Sequence, residues 1–433
     1  MGITVEGRMV WRNRGTVDER AQKYPDAEGL RRVERREVTA ESDFATGIWT
    51  RESPDNGRTW GEWQDAYADA FETLPNGDER MVYAWQPDVW NPVHRHWVSC
   101  GMERIFENGH TDAYRRYWGE GVPSFRDHCY LCVRVPGEDG KGGAVTRMLV
   151  KYEDGAEYDP ANPRDPMYLT RNQAYFGKLK IMRNGDILFP VGANIASCCR
   201  ILGLDVGKVF PSCPEIMTGF IVVRGVWDGK CYRMRYSEPG VISDMQSSRA
   251  FCEPELAELT TGRILLVLRG SNFVSLPFRT RISPCAPGFK WYALSDDGGR
   301  TFTPAMPWHF DTREVVYSSA TISALIRAQK TGRLYWIGNI TDPTQTSGNS
   351  PRWPLVICEV DEEWGCLRKE TLTVIDTKRP GEADVLQLSN FNVLEDRETG
   401  DLEIRLTKLG QFSNTPAVSI YDCETWEYRI CLS

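Results

Sequence analysis

Two carboxyls, a phenol and a small set of cationic and amide side chains define what this chain can do chemically. Glu253 and Asp43 can accept or donate a proton. Tyr317 carries a phenol that becomes a nucleophile once a base removes its proton. Arg269 and Arg20 present planar forks that hold a carboxylate through two parallel hydrogen bonds, whereas Lys290 offers one ammonium. Asn172, Gln173 and Asn390 carry amides that bond hydroxyl groups. These residues are far apart along the chain, so only a fold that gathers distant loops can use them together.

A repeat supplies such a fold. Four segments share one grammar, an apolar strand, a glycine turn and a second apolar strand: Lys178 to Phe189 around Gly185, Leu256 to Leu268 around Gly262, Leu325 to Ile337 around Gly332, and Val393 to Leu406 around Gly400. Each reads as a β-hairpin, because glycine supplies the positive φ of a tight turn. The glycines recur at roughly 70 residues, the length of a four-stranded blade with generous loops. The same period stepped backwards reaches the turn signals Asn91-Pro92 and Gly29. Unrelated hairpins would not keep such even spacing. The expected architecture is all-β, a single six-bladed β-propeller of four-stranded antiparallel blades over residues 1–433, with no Pro/Ser/Gly linker between halves. Gly101 to Val122 is the one long polar insertion and is expected to form a loop, with or without a helical turn, over one face.

Composition narrows the partners. The chain has 433 residues, 41% hydrophobic and 26% charged, with a formal net charge of -8 and a sequence pI near 5.4. A mildly acidic surface argues against nucleic-acid or anionic-membrane partners. No apolar run approaches the roughly 20 residues of a membrane span, and the first residues lack the apolar core of a signal peptide. The expected location is cytoplasmic, although a secreted chain trimmed of its leader would read the same. The 13 cysteines are odd in number and irregular in spacing, which fits reduced buried thiols rather than a disulfide framework. Cys129 and Cys132 form a lone CxxC, and five scattered His complete no zinc set at the usual spacing. No metal or organic cofactor is expected. The 15 Trp suit sheet packing first and sugar stacking second.

Two segments carry a closer signature. Ser53 to Trp60 and Ser295 to Phe302 both read S-x-D-x-G-x-T followed by an aromatic residue. This resembles the Asp box, or BNR repeat, of the sialidase superfamily. In that family the box is a structural turn, so Asp55 and Asp297 are fold markers and not catalytic residues. In a propeller blade the residues just before the first strand, just after the second and just before the third converge on one face. That rule selects Glu253 and Arg269 in the fourth blade, Tyr317 in the fifth, Asp43 in the first, and Lys290 ahead of the fourth blade's third strand. It also selects Asn172, Gln173, Asn272, Ser389 and Asn390 as rim residues. His94 and His96 alternate onto one face and are candidates to line the site.

The resemblance assigns roles. It implies that Tyr317 is a nucleophile, that Glu253 is the base activating it, and that Asp43 protonates the leaving oxygen. Glu255 and Glu258 compete for the role of Glu253. A neutral phenol suits this task because the anomeric carbon of a sialic acid bears a carboxylate that repels an anionic nucleophile. Arg269 corresponds to one of three arginines that hold the substrate carboxylate. Arg20 occupies the place of another without the family's Arg-Ile-Pro tripeptide. Lys290 stands where a third is expected, with Arg279 and Arg281 nearby. The implied activity is a retaining exo-glycosidase resembling exo-α-sialidases, acting on a glycan or glycoside. The alternatives are a sialidase-fold hydrolase or lyase for another terminal sugar or uronate, and a non-catalytic carbohydrate-binding propeller.

Overall fold

A computed structural model describes residues 2–433 apart from 27, 42–43, 67–71, 84–88, 138–142, 212–215, 273–287 and 347. Six antiparallel sheets run through the described residues, and the fold class is the six-bladed β-propeller expected from the repeat. The chain divides into two compact units. One unit contains the first, fifth and sixth blades. The first is built from Val17–Lys23, Arg32–Glu41, Phe44–Ser53 and Gln64–Asp65. The fifth uses Ser323–Arg327, Leu334–Asn339, Leu355–Asp361 and Cys366–Leu367. In the sixth, Phe391–Glu395, Leu402–Thr407 and Glu424–Leu432 are completed by Ile3–Arg12 from the other end of the chain, with Ile3 opposite Leu432 and Arg12 opposite Glu424.

The other unit contains the second and third blades and most of the fourth. The second blade's main strands are Glu79–Tyr83, His96–Phe106, Phe125–Arg134 and Val145–Leu149. Those of the third are Ala174–Phe176, Ile187–Asn194, Thr218–Trp227 and Tyr232–Tyr236. The fourth has Cys252–Glu258, Ile264–Arg269, Lys290–Ser295 and Met306–Pro307. The apolar strand faces fuse into blade-to-blade cores. Ile337, Ile357, Leu388 and Ile404 pack in one cluster of the first unit, and Leu131, Ile187, Val191 and Ile221 in one of the second, all fully buried.

The repeat glycines sit where it was read. Gly262 has φ +84° and Gly332 φ +69°, and no heavy atom lies within 4 Å of the position a Cβ would take. Backbone conformation alone therefore demands glycine at these turns. The two S-x-D-x-G-x-T segments adopt the same turn. Ser53 Oγ donates to Asp55 and accepts from the Gly57 amide, while Asp55 accepts from the Thr59 amide and hydroxyl. Ser295, Asp297, Gly299 and Thr301 repeat every one of these bonds. Hydrogen bonds to the ionised form, those from Thr59 foremost at Asp55, hold both carboxyls at about 2.

Three expectations need correction. The span from Gly101 is not all loop: strand His96–Phe106 runs through its first residues, because the polar side chains there have buried partners. Glu103 pairs with Arg80 at 2.5 Å, and Arg104 with Asp127 at 2.6 Å. Only the later part is irregular, with a short helical turn at Arg115–Gly119. Helix Ile195–Leu202, capped by the Asn194 side chain, is an element the repeat gave no reason to expect. Of the His94 and His96 pair, His94 is half-exposed and His96 is turned away from any open face. His96 is fully buried, 2.8 Å from the Tyr232 hydroxyl, and its ring lies 4.3 Å from that of Trp227. The eleven described cysteines are free, and most are buried.

Burial has a pH consequence. His128 is also fully buried, with Nε2 2.9 Å from the Tyr168 carbonyl and no partner for Nδ1. Burial pulls His128 down to about 4 from 6.5, and burial, then the neighbouring His94, does the same to His96. Both are neutral in the fold, whereas the unfolded chain takes up protons below about 6.5. Their contribution is complete above that pH and is lost as pH falls from 6.5 towards 4. Urea unfolding should lose a few kcal/mol across that window, beginning near pH 6, above the range in which carboxylates titrate. A stability profile flat down to pH 5 contradicts this.

Candidate functional site

In the fourth blade, strand Cys252–Glu258 pairs with Ile264–Arg269, with Cys252 opposite Arg269. A register shift between Cys252 and Glu255 takes Glu253 out of the ladder. Glu253 has φ +44° and Ala250 φ +52°. Non-glycine residues in this region store strain of order 1–3 kcal/mol each, a feature concentrated at functional sites. The Glu253 carboxylate forms a salt bridge with Arg269, and their side chains are 31% and 12% exposed. The competing glutamates are engaged elsewhere. Glu255 is buried and pairs with Lys180 at 2.5 Å, and Glu258 accepts from the Arg183 amide at 3.0 Å.

Sequence reasoning missed Arg249, half-buried beside this pair and in electrostatic interaction with Arg269, Glu253 and Tyr117. Burial, then the like charge of Arg269, pulls its pKa below the ordinary arginine value. Two guanidinium groups and one carboxylate thus meet at this corner. Its only signal was its place four residues ahead of Glu253, within the stretch before a first strand.

The same unit contains a cavity of about 260 Å³ between the second and third blades. Its lining includes Tyr117, Phe125, Asp127, Gln173, Tyr175 and Asn194. The positions follow the convergence rule. Phe125 and Asp127 open the second blade's third strand, Gln173 precedes the third blade's first strand, and Asn194 ends its second. Of the predicted rim residues here, Gln173 reaches the cavity and Asn172 does not. Gln173 accepts from the Asp127 amide at 3.1 Å and donates to the Tyr168 carbonyl at 3.1 Å. Asn172 is fully buried at φ +54°, its side-chain oxygen accepting from the Glu153 amide at 2.9 Å, and so it shapes the chain ahead of the blade.

In the other unit, Tyr317 is half-buried, with its ring 5.5 Å from that of Phe289 and its carbonyl accepting from the Thr341 amide at 2.9 Å. Ser318 and Ser319 fix this irregular segment, donating to the Asn339 carbonyl at 2.8 Å and the Pro351 carbonyl at 2.5 Å. Arg20 and Asn390 line one cavity of about 200 Å³ with Glu19, Asn392 and Arg405. The Arg20 fork is already occupied, because Asp18 receives both its Nε and Nη2 at 3.0 Å, and Trp11 lies under it at 4.5 Å. Lys290 departs furthest from a substrate-holding role. It is fully buried and its ammonium bonds the Thr321 carbonyl, the Thr321 hydroxyl at 3.1 Å and the Ile322 carbonyl at 3.3 Å. Flanking apolar residues carry its stem inward, and the carbonyls replace water around the charge. Asp43, Arg279 and Arg281 lie outside the described residues. Among the described residues no three His, Cys, Asp or Glu side chains are grouped to hold a metal ion.

Comparison with known proteins found no matching family profile and no matching curated protein. Solved structures do match. A protein of unknown function from Dyadobacter fermentans is similar over 100% of both chains, with 15% identity and a TM-score of 0.55. The NanB sialidase from Streptococcus pneumoniae is similar over 98% of this chain and 70% of its own, with 11% identity and a TM-score of 0.54. The Hadza microbial sialidase Hz136 is similar over 94% of this chain and 65% of its own, with 14% identity and a TM-score of 0.50. At such identities the likeness concerns the course of the backbone, and on that ground this chain has the sialidase-like β-propeller fold.

Proposed function

We propose that the chain is a glycoside hydrolase that releases a terminal sugar with retention of configuration. In this reading Glu253 takes the phenolic proton of Tyr317, whose oxygen attacks the anomeric carbon. Asp43 protonates the departing oxygen and then, as base, activates the water that breaks the tyrosyl–sugar bond. The observation that carries the reading is the strained Glu253 held against Arg269, with Arg249 beside both. Arg269 holds the carboxylate in one place, as a positioned base requires. Arg249 and Arg269 also place two cationic side chains within reach of an anionic substituent. Two proteins of the same fold are named as sialidases, which supports a sugar substrate.

One pair of observations favours a terminal sugar other than sialic acid within the same mechanism. Arg20 is committed to Asp18, and Lys290 to buried carbonyls. That removes two of the three cations expected around a sialic acid carboxylate.

Assay against α-sialosides, hexosides and uronides tests the proposal. One class should be hydrolysed, and Glu253→Gln should lower kcat on it by about a hundredfold or more while leaving the unfolding midpoint near that of the parent. Glycan binding without turnover of any class would sink the hydrolase reading.

A further inference from the structure

The cavity between the second and third blades has no role in the chemistry proposed above, yet it has the make-up of a ligand site. We infer that it holds a neutral pyranose, the second sugar of the substrate, so that the enzyme acts on a terminal residue linked to an uncharged hexose. This deepens the hydrolase reading and rests on it.

The size, about 260 Å³, suits a single small ring. The walls combine aromatic faces with hydroxyl-binding groups. Tyr117 stacks on Phe125 at 4.0 Å with 14° between the rings, and Tyr175 is 39% exposed. Such faces cover the C–H side of a sugar. Asp127 faces the same space, and each of its carboxylate oxygens accepts one hydrogen bond from Arg104, at 2.6 and 2.7 Å. A carboxylate has about four acceptor positions, so each oxygen retains capacity for a hydroxyl.

Charge decides against an anion here. Among the described residues, three guanidinium groups at the cavity each have an acid: Arg104 has Asp127, Arg126 has Glu107 at 3.1 Å, and Arg200 has Glu153 at 3.0 Å. This contrasts with the corner where Arg249 and Arg269 meet Glu253. The two places adjoin through the backbone. Thr218, which lines the cavity, pairs with Ala250 and accepts from the Phe251 amide at 3.0 Å, two residues before Glu253. Tyr117 likewise lines the cavity and interacts with Arg249.

Ala196, half-buried in the cavity lining on helix Ile195–Leu202, provides the test. Two substrates are compared, the preferred terminal sugar as its methyl glycoside and the same sugar linked to a neutral hexose. Ala196→Trp should lower the ratio of kcat/KM on the disaccharide to that on the methyl glycoside about tenfold. Tyr175→Ala, which removes a wall instead of filling the space, should move it the same way. An unchanged ratio in both variants overturns the inference. Saturation-transfer NMR with neutral methyl hexosides gives a reading independent of turnover. Binding to the parent that is lost in Ala196→Trp supports the site even if no glycoside is hydrolysed. Absent binding, or equal binding to both proteins, overturns it.

Discussion

Replacing Tyr317 by phenylalanine should lower turnover on the best substrate by about 10³-fold or more. The substitution removes one oxygen and retains the ring that packs 5.5 Å from Phe289. Ser318 and Ser319, which hold the segment through the Asn339 and Pro351 carbonyls, are untouched. Stability and substrate KM should therefore stay close to those of the parent, and the loss should fall on kcat. Full turnover in Tyr317→Phe would remove the tyrosine from the chemistry and leave the fold assignment standing.

The second large effect is on stability. Lys408 is fully buried, its ammonium 2.7 Å from Glu382 and 3.2 Å from Asp376, whose side chains are 7% and 6% exposed. Gln411 donates to Glu382 at 2.8 Å, and the Tyr428 hydroxyl to Asp376 at 2.5 Å. Lys408→Met keeps the volume of the stem but leaves two carboxylates close together, with their shared cation gone. Breaking a buried ion pair from one side costs roughly 3–5 kcal/mol, and urea unfolding should show a loss of that size. Adding Glu382→Gln should recover part of it, since the second change removes one stranded charge. A single variant within about 0.5 kcal/mol of the parent would mean that water reaches the cluster.

What the sequence disclosed follows from how local each determinant is. The hairpin period was legible because positive φ at Gly262 and Gly332 is a demand of the turn itself. The two aspartate turns were legible because all their bonds lie within seven residues. Glu253 and Arg269 were each legible as rim residues because they flank the hairpin turn at Gly262, whereas their salt bridge was not, since a register shift takes Glu253 out of the ladder.

Other features depend on neighbours that no spacing names. Tyr117, Asp127 and Tyr175 meet only because the second and third blades adjoin. Lys290 looked like a substrate contact from its position, and its burial depends on carbonyls of Thr321 and Ile322 far along the chain. The commitment of Arg20 to Asp18 was within reach. Residues two apart on a strand share a face, and the pair was open to reading as a local ion pair.

The sixth blade is closed by Ile3–Arg12 lying along Glu424–Leu432, with the Gly2 amide 2.8 Å from Ser433 Oγ. Its strands thus come from the two most separated stretches of the sequence, contacts of the highest order the chain can make. While the polypeptide emerges from the ribosome, Ile3 and Val5 must wait for almost all of the remaining residues before their partners exist. Contacts of this kind slow folding and prolong the exposure of unsatisfied strand edges. The strand Ile3–Arg12 is therefore among the last to find its place, and until it does the edge of Glu424–Leu432 stays unpaired.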